Sequence, residues 1–172
     1  MDVAGEFISR SRHFLGYEYP TKILRCLDEL PSDALWRRVD AQSNSIGNLL
    51  LHLTGNVRQW IISSVGGAPD HRQRSGEFAA REGDESHALF AMLRATLDEA
   101  DAVIATLTTD TLGERRTIQG REVSVLDAVY HVVEHFALHT GQIILLTKLF
   151  APGAIRFYED AGGLAIPRWR EP

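Results

Sequence analysis

Cysteine, lysine and long apolar runs are all scarce in this chain. A single cysteine, Cys26, stands among 172 residues, so no intramolecular disulfide can form and no cysteine-based metal site can be assembled. It reads as a small apolar packing residue of the first helical segment. No apolar run reaches the roughly 20 residues that a membrane span requires. The opening stretch MDVAGEFISRSRHF has neither a basic leader nor an apolar signal core. These absences predict a reducing, cytoplasmic compartment and no membrane partner. Positive charge is also short, with Lys+Arg 18 against Asp+Glu 23 and a net charge of −5. The cations are dispersed, which excludes a nucleic-acid-binding surface. Lysine occurs only at Lys22 and Lys148.

What is present suits one soluble domain spanning 1–172, with 44% hydrophobic and 24% charged residues. Strand signals are few, whereas helical periodicity recurs four times. The first segment, about 3–30, carries Phe7, Phe14, Leu15, Ile23, Leu24 and Leu27, with a kink or break expected at Pro20 and an end at Pro31. The second starts after Ser43-Asn44-Ser45 and runs to about Val65. Residues 68–83 are polar and contain glycine, and are predicted to form a mobile loop. Asp84 is the expected cap of the third helix, whose apolar stripe is Leu89, Leu93, Leu97, Ala100, Ile104 and Leu107. Residues 117–123 suggest a short extended segment or tight hairpin, after which Ser124 caps the fourth helix. The tail from Ile155 is broken by proline and glycine and is expected to lie over the helices as an irregular strap. Four long helical segments with few strands predict an all-α four-helix bundle with short irregular or extended connections.

The chemistry lies in HVVEHFALHTGQ. His131, His135 and His139 recur every four residues, about 400° of helical rotation, so their imidazoles sit on nearly one face a turn apart. Asp127, Glu134 and Gln142 share that stripe, whereas Val129, Val133, Phe136 and Ile143 form an apolar side. A solvated face would carry Lys, Arg or several Glu; three histidines indicate a lined cavity that binds a metal ion. A third or further ligand must come from another element, and His52 is the best candidate. It lies in the apolar run IGNLLLHL, where a buried imidazole needs a partner. His13, His71 and His87 receive no role.

SIGNLLLHLTGNVRQW, followed some eighty residues later by VLDAVYHVVEHFALHTGQI, resembles the DinB/YfiT-like superfamily of small bacterial metal-binding four-helix proteins. The resemblance covers most of the chain. It implies an up-down-down-up bundle, frequent homodimers, and Zn, Ni, Fe or Mn bound by one second-helix histidine and a fourth-helix HxxxH pair. The second histidine of that pair precedes x-Gly-Gln, as His139-Thr140-Gly141-Gln142 does here. The implied metal ligands are therefore His52, His135 and His139, with His131 outside the triad. Characterised members include transferases and isomerases that use low-molecular-weight thiols such as mycothiol or bacillithiol.

An open three-histidine site can lower the pKa of a coordinated thiol or water. The expectation is a metal-dependent enzyme acting on a small molecule, with a thiol S-transferase as the specific form. Asn48 and Asn56, one turn either side of His52, and Glu134 beside His135 are the candidates for orienting the ligands. Trp60 is expected to wall the pocket or pack in the core. Two alternatives stand beside this. His131-Val132-Val133-Glu134-His135 reads as HxxEH, an inverted zinc-peptidase motif with Glu134 as general base, which makes the chain a metal-dependent hydrolase. The other alternative is a non-enzymatic metal-binding bundle.

Overall fold

The computed structural model describes residues 2–169. The first long helical run opens as α1 (Val3–His13), capped by the Asp2 carboxylate, which accepts from Gly5 N–H. It continues without a break through a π-helical turn, Phe14–Glu18, into α2 (Tyr19–Asp28). The expected disturbance at Pro20 takes the form of that widened turn. Pro20 has no N–H for the carbonyl of Gly16, and the Arg94 guanidinium donates to that carbonyl instead.

The second run is α3 (Ile46–Val57), extended by a second π-helical segment, Arg58–Val65. Ser45 caps it, forming a reciprocal box with Asn48. Residues 68–83 differ from expectation. They are not a free polar loop, because they contain a short helix, α4 (Arg74–Ala79), whose Glu77 is buried. The reason is tertiary: Asn48 Nδ2 donates to the carbonyls of Glu77 and Ala80, and Arg38 Nη2 donates to that of Phe78. Asp84 does not cap the third helix. α5 spans Ser86–Ile104 behind Glu85, with no side-chain cap bond.

A one-turn helix, α6 (Thr109–Leu112), leads to the antiparallel pair β1 (Arg115–Ile118) and β2 (Arg121–Ser124). Ile118 pairs with Arg121 across a two-residue turn. Gln119 and Gly120 both hold positive φ there, 52° and 76°, as a primed turn requires. The hairpin runs directly into α7 (Val125–Phe150), capped by a reciprocal Ser124–Asp127 box. The tail is more regular than a strap. β3 (Tyr158–Ala161) and β4 (Leu164–Pro167) pair antiparallel around Gly162-Gly163. Beyond them Trp169 is buried, with the Lys22 ammonium 4.4 Å from its ring centroid. Residues 170–172 of the expected strap lie outside the described residues.

The four predicted helical runs are therefore present, but with two short helices and two small sheets added, so the chain is mostly helical and not a pure four-helix bundle. α3 packs on α5, α4 and α7, and α2 packs on α7 and α5. The first and second runs are thus each flanked by α5 and α7. Ile23, Leu49, Leu53, Leu93, Phe136 and Ile143 fill the common core. The α3–α7 seam faces the histidine stripe. Among the described residues, no helix is long and apolar enough to cross a membrane.

Candidate metal centre

Three of the four sequence-selected histidines converge across the α3–α7 seam. His135 Nε2 lies 3.1 Å from His52 Nε2 and 3.2 Å from His139 Nε2. The ligand atoms of all three fall within 4.8 Å of one another. α7 supplies two because its four-residue spacing stacks them on one face. α3 supplies the third because Leu49, Leu50 and Leu53 bury its flanks and hold His52 at 4% exposure.

The outer nitrogens decide which atoms face inward. His52 Nδ1 lies 2.8 Å from Glu77 Oε2, and His139 Nδ1 lies 2.7 Å from Gln142 Oε1. Both partners accept, so each histidine carries its proton on Nδ1 and presents a bare Nε2 lone pair to the cluster. Burial, with the imidazoles of His139 and His52 adding to it, pushes His135 down to about 3. Burial also lowers His139, opposed by its bond to Gln142. A neutral His135 has one ring proton and can satisfy at most one of the two bare Nε2 atoms it meets, so the cluster is short of protons, and neutral imidazole nitrogens are donors that a divalent ion takes. The cluster is compatible with such an ion.

His131 stands outside the cluster. Its ring centroid lies 3.9 Å from that of Trp60, the planes tilted by 32°, and its Nε2 is 3.4 Å from Asn56 Nδ2. Burial lowers its pKa as well. Trp60 is itself buried, so its packing role and its place beside the histidines coincide. The Asn48 side chain is engaged elsewhere: it completes the α3 cap with Ser45 and donates to the carbonyls of Glu77 and Ala80. Glu134 is exposed on α7 and reaches His131 and His139 through charge.

Sequence reasoning did not select Glu77 or Arg72. The Arg72 guanidinium grips Glu77 through Nε at 2.7 Å and Nη2 at 2.9 Å, with side chains 3% and 9% exposed. Burial opposes ionisation of Glu77, but the bonds from Arg72 and His52 outweigh it and hold the carboxyl below its ordinary range. Arg72 Nη2 also lies 3.2 Å from His52 Nδ1; both carry donors, and the carboxylate is their common acceptor. Arg72 Nη1 donates to Gln59, which accepts again from Gln119 of the β1–β2 turn. One signal was legible: Gly55 sits mid-helix in α3, and a Cβ there would fall on Glu77 Oε1.

The family profile described as mycothiol-S-transferase matches residues 12–150. The chain belongs to that family. Ten solved chains are similar in fold. A DinB-like protein from Bacillus cereus shares 17% identity at a TM-score of 0.61, covering 80% of this chain and 91% of that one. YjoA, a DinB-like protein from Bacillus subtilis, shares 18% identity at a TM-score of 0.63, covering 90% and 97% respectively. Together these place the chain in the DinB/YfiT-like superfamily. No curated protein matches.

Proposed function

We propose that this mycothiol S-transferase family member is a divalent-metal-dependent transferase that joins a low-molecular-weight thiol, mycothiol in the first instance, to a small electrophile. The observation that carries the reading is the convergence of three Nε2 atoms, two of them left bare by hydrogen-bond acceptors on their outer nitrogens. His52, His135 and His139 hold the ion, and three neutral imidazoles accept Zn, Ni, Fe or Mn. When bound, the metal supplies a Lewis acid that makes thiolate available near neutral pH.

The chain's own side chains position and shield. Gln142 orients His139. Asn56 and Trp60 hold His131 beside the cluster, and the Phe78 ring, 4.6 Å from that of His52, covers another side. Glu134 adds negative charge near His131 and His139, and Asn48 keeps residues 77–80 in place. A homodimer acting in the cytoplasm belongs to the same reading. Leu126, Tyr130, Leu138, Leu145 and Leu149 lie exposed along α7 in a sector that also holds Asp127, Glu134 and Lys148, and this partly apolar stripe supports it.

The test is turnover by protein purified without a nickel tag, against small electrophiles with mycothiol, bacillithiol or glutathione. Product should require both metal and thiol and vanish with chelator. Metal-dependent turnover indifferent to every thiol would replace the reading with hydrolysis. Stoichiometric metal with no turnover, on thiol–electrophile pairs or on esters and amides, would leave a binding bundle.

A further inference from the structure

The three histidines of the cluster are supported unequally from behind. His139 leans on a neutral carboxamide, Gln142, and His135 Nδ1 is buried with no partner among the described residues. Of the three, only His52 is hydrogen-bonded to a carboxylate among the described residues. We propose that Glu77, held by Arg72, is the positioning residue that sets the tautomer and ring orientation of His52 for metal binding. The inference rests on His52, His135 and His139 being the metal ligands.

Four separate features bring that carboxylate to Nδ1. The Arg72–Glu77 pair is buried, although an ion pair gains little from burial and costs desolvation unless its geometry does something the surface cannot. Arg72 binds Glu77 two-pronged, so the pair adds no net charge to the cluster; what Glu77 contributes is direction. Gly55 leaves open the space that the Glu77 oxygen occupies against α3. Asn48 and Arg38 fasten the backbone of residues 77–80, which sets the reach of the side chain. A carboxylate on the outer nitrogen of a ligating histidine fixes its tautomer and raises its basicity. The polar segment 68–83 thus contributes no ligand and still governs the deepest one.

Glu77→Gln in the full-length chain separates direction from packing. The amide has one acceptor oxygen where the carboxylate has two: with that oxygen at the Oε2 position the NH2 faces Arg72 Nε–H, and with it at Oε1 the NH2 faces both Arg72 Nη2 and the His52 Nδ1–H. Either way the two-pronged grip of Arg72 or the acceptor of His52 is lost, and the His52 ring is no longer held in place. Zinc affinity, read by competition with a chromophoric chelator, should weaken by about 10–100-fold. The visible absorption of the cobalt-loaded protein should change in position and intensity. Glu77→Asp keeps the charge for Arg72 but is one methylene short of Nδ1, and should show the same loss; it carries the test if the glutamine variant does not fold. His135→Ala serves as the zinc-free reference. Affinity within twofold of the parent with an unchanged cobalt spectrum overturns the proposal, even if thermal stability falls, since a role in packing alone would do that. A parent protein that binds zinc no better than His135→Ala overturns the ligand assignment and the proposal together.

Discussion

Replacing Gly55 by alanine sets two effects of opposite sign against each other. In an exposed helix interior the change should stabilise by about 1 kcal/mol, because glycine loses more backbone entropy on folding. At this position the added Cβ would fall on Glu77 Oε1 and come within 3.0 Å of Arg72 Nε. A carboxylate is the far end of a flexible side chain and moves cheaply when it is free, but this one is bonded to both Arg72 and His52. Moving it sacrifices at least one charge-assisted hydrogen bond, worth about 1.5–3 kcal/mol, and overpacking adds about 1–3 kcal/mol. The loss outweighs the propensity gain, for a net destabilisation of about 1.5–5 kcal/mol. In a domain of this size that lowers Tm by about 3–20 °C. Thermal and urea unfolding of the metal-free protein measure it, and zinc titration should show weakened binding in the same variant. A Tm equal to or above the parent's would mean that Glu77 is not pressed against α3, and would refute the packing argument behind the His52 contact.

Four further outcomes follow from the same geometry. His135→Ala should abolish stoichiometric metal binding while helicity by circular dichroism persists, whereas His131→Ala should retain the metal; elemental analysis of both variants decides. The metal-free protein should lose stability in acid. His135 sits at about 3 in the fold and near 6.5 when unfolded, so its contribution is fully present above pH ~6.5 and falls by up to about 1.4 kcal/mol per pH unit toward 3, with His131 and His139 shifted in the same direction; urea midpoints flat between pH 7.5 and 5 would contradict this. Burial pushes the Cys26 thiol up to about 11, so it should resist a thiol reagent at pH 8 until the chain is unfolded, and Cys26→Ala should leave turnover nearly unchanged. Sedimentation should give a homodimer, and a monomer at micromolar concentration would remove the role assigned to the α7 stripe.

The helical runs, the serine starts of the second and fourth, and the histidine face were legible in the chain because they depend on short-range regularities, whereas Asp84 did not cap the third. A period near 3.6 marks a buried face, a serine three residues before a polar partner marks a helix start, and a four-residue spacing puts His135 and His139 on one line. His52 stood out by the same logic, as an imidazole with no local reason to sit in an apolar helix. Residues 68–83 resisted reading because polar, glycine-containing sequence describes a solvated loop equally well when its polar groups have partners elsewhere. Asn48 and Arg38 supply those partners from 29 to 42 residues away along the chain. Glu77 reaches His52 across 25 residues, and Gln119 reaches Gln59 across 60. No local pattern encodes such pairings. Sequence alone determined where the helices run and which histidines share a face; tertiary packing decided what stands behind those histidines, because only folding brings a carboxylate from one segment to the outer nitrogen of another.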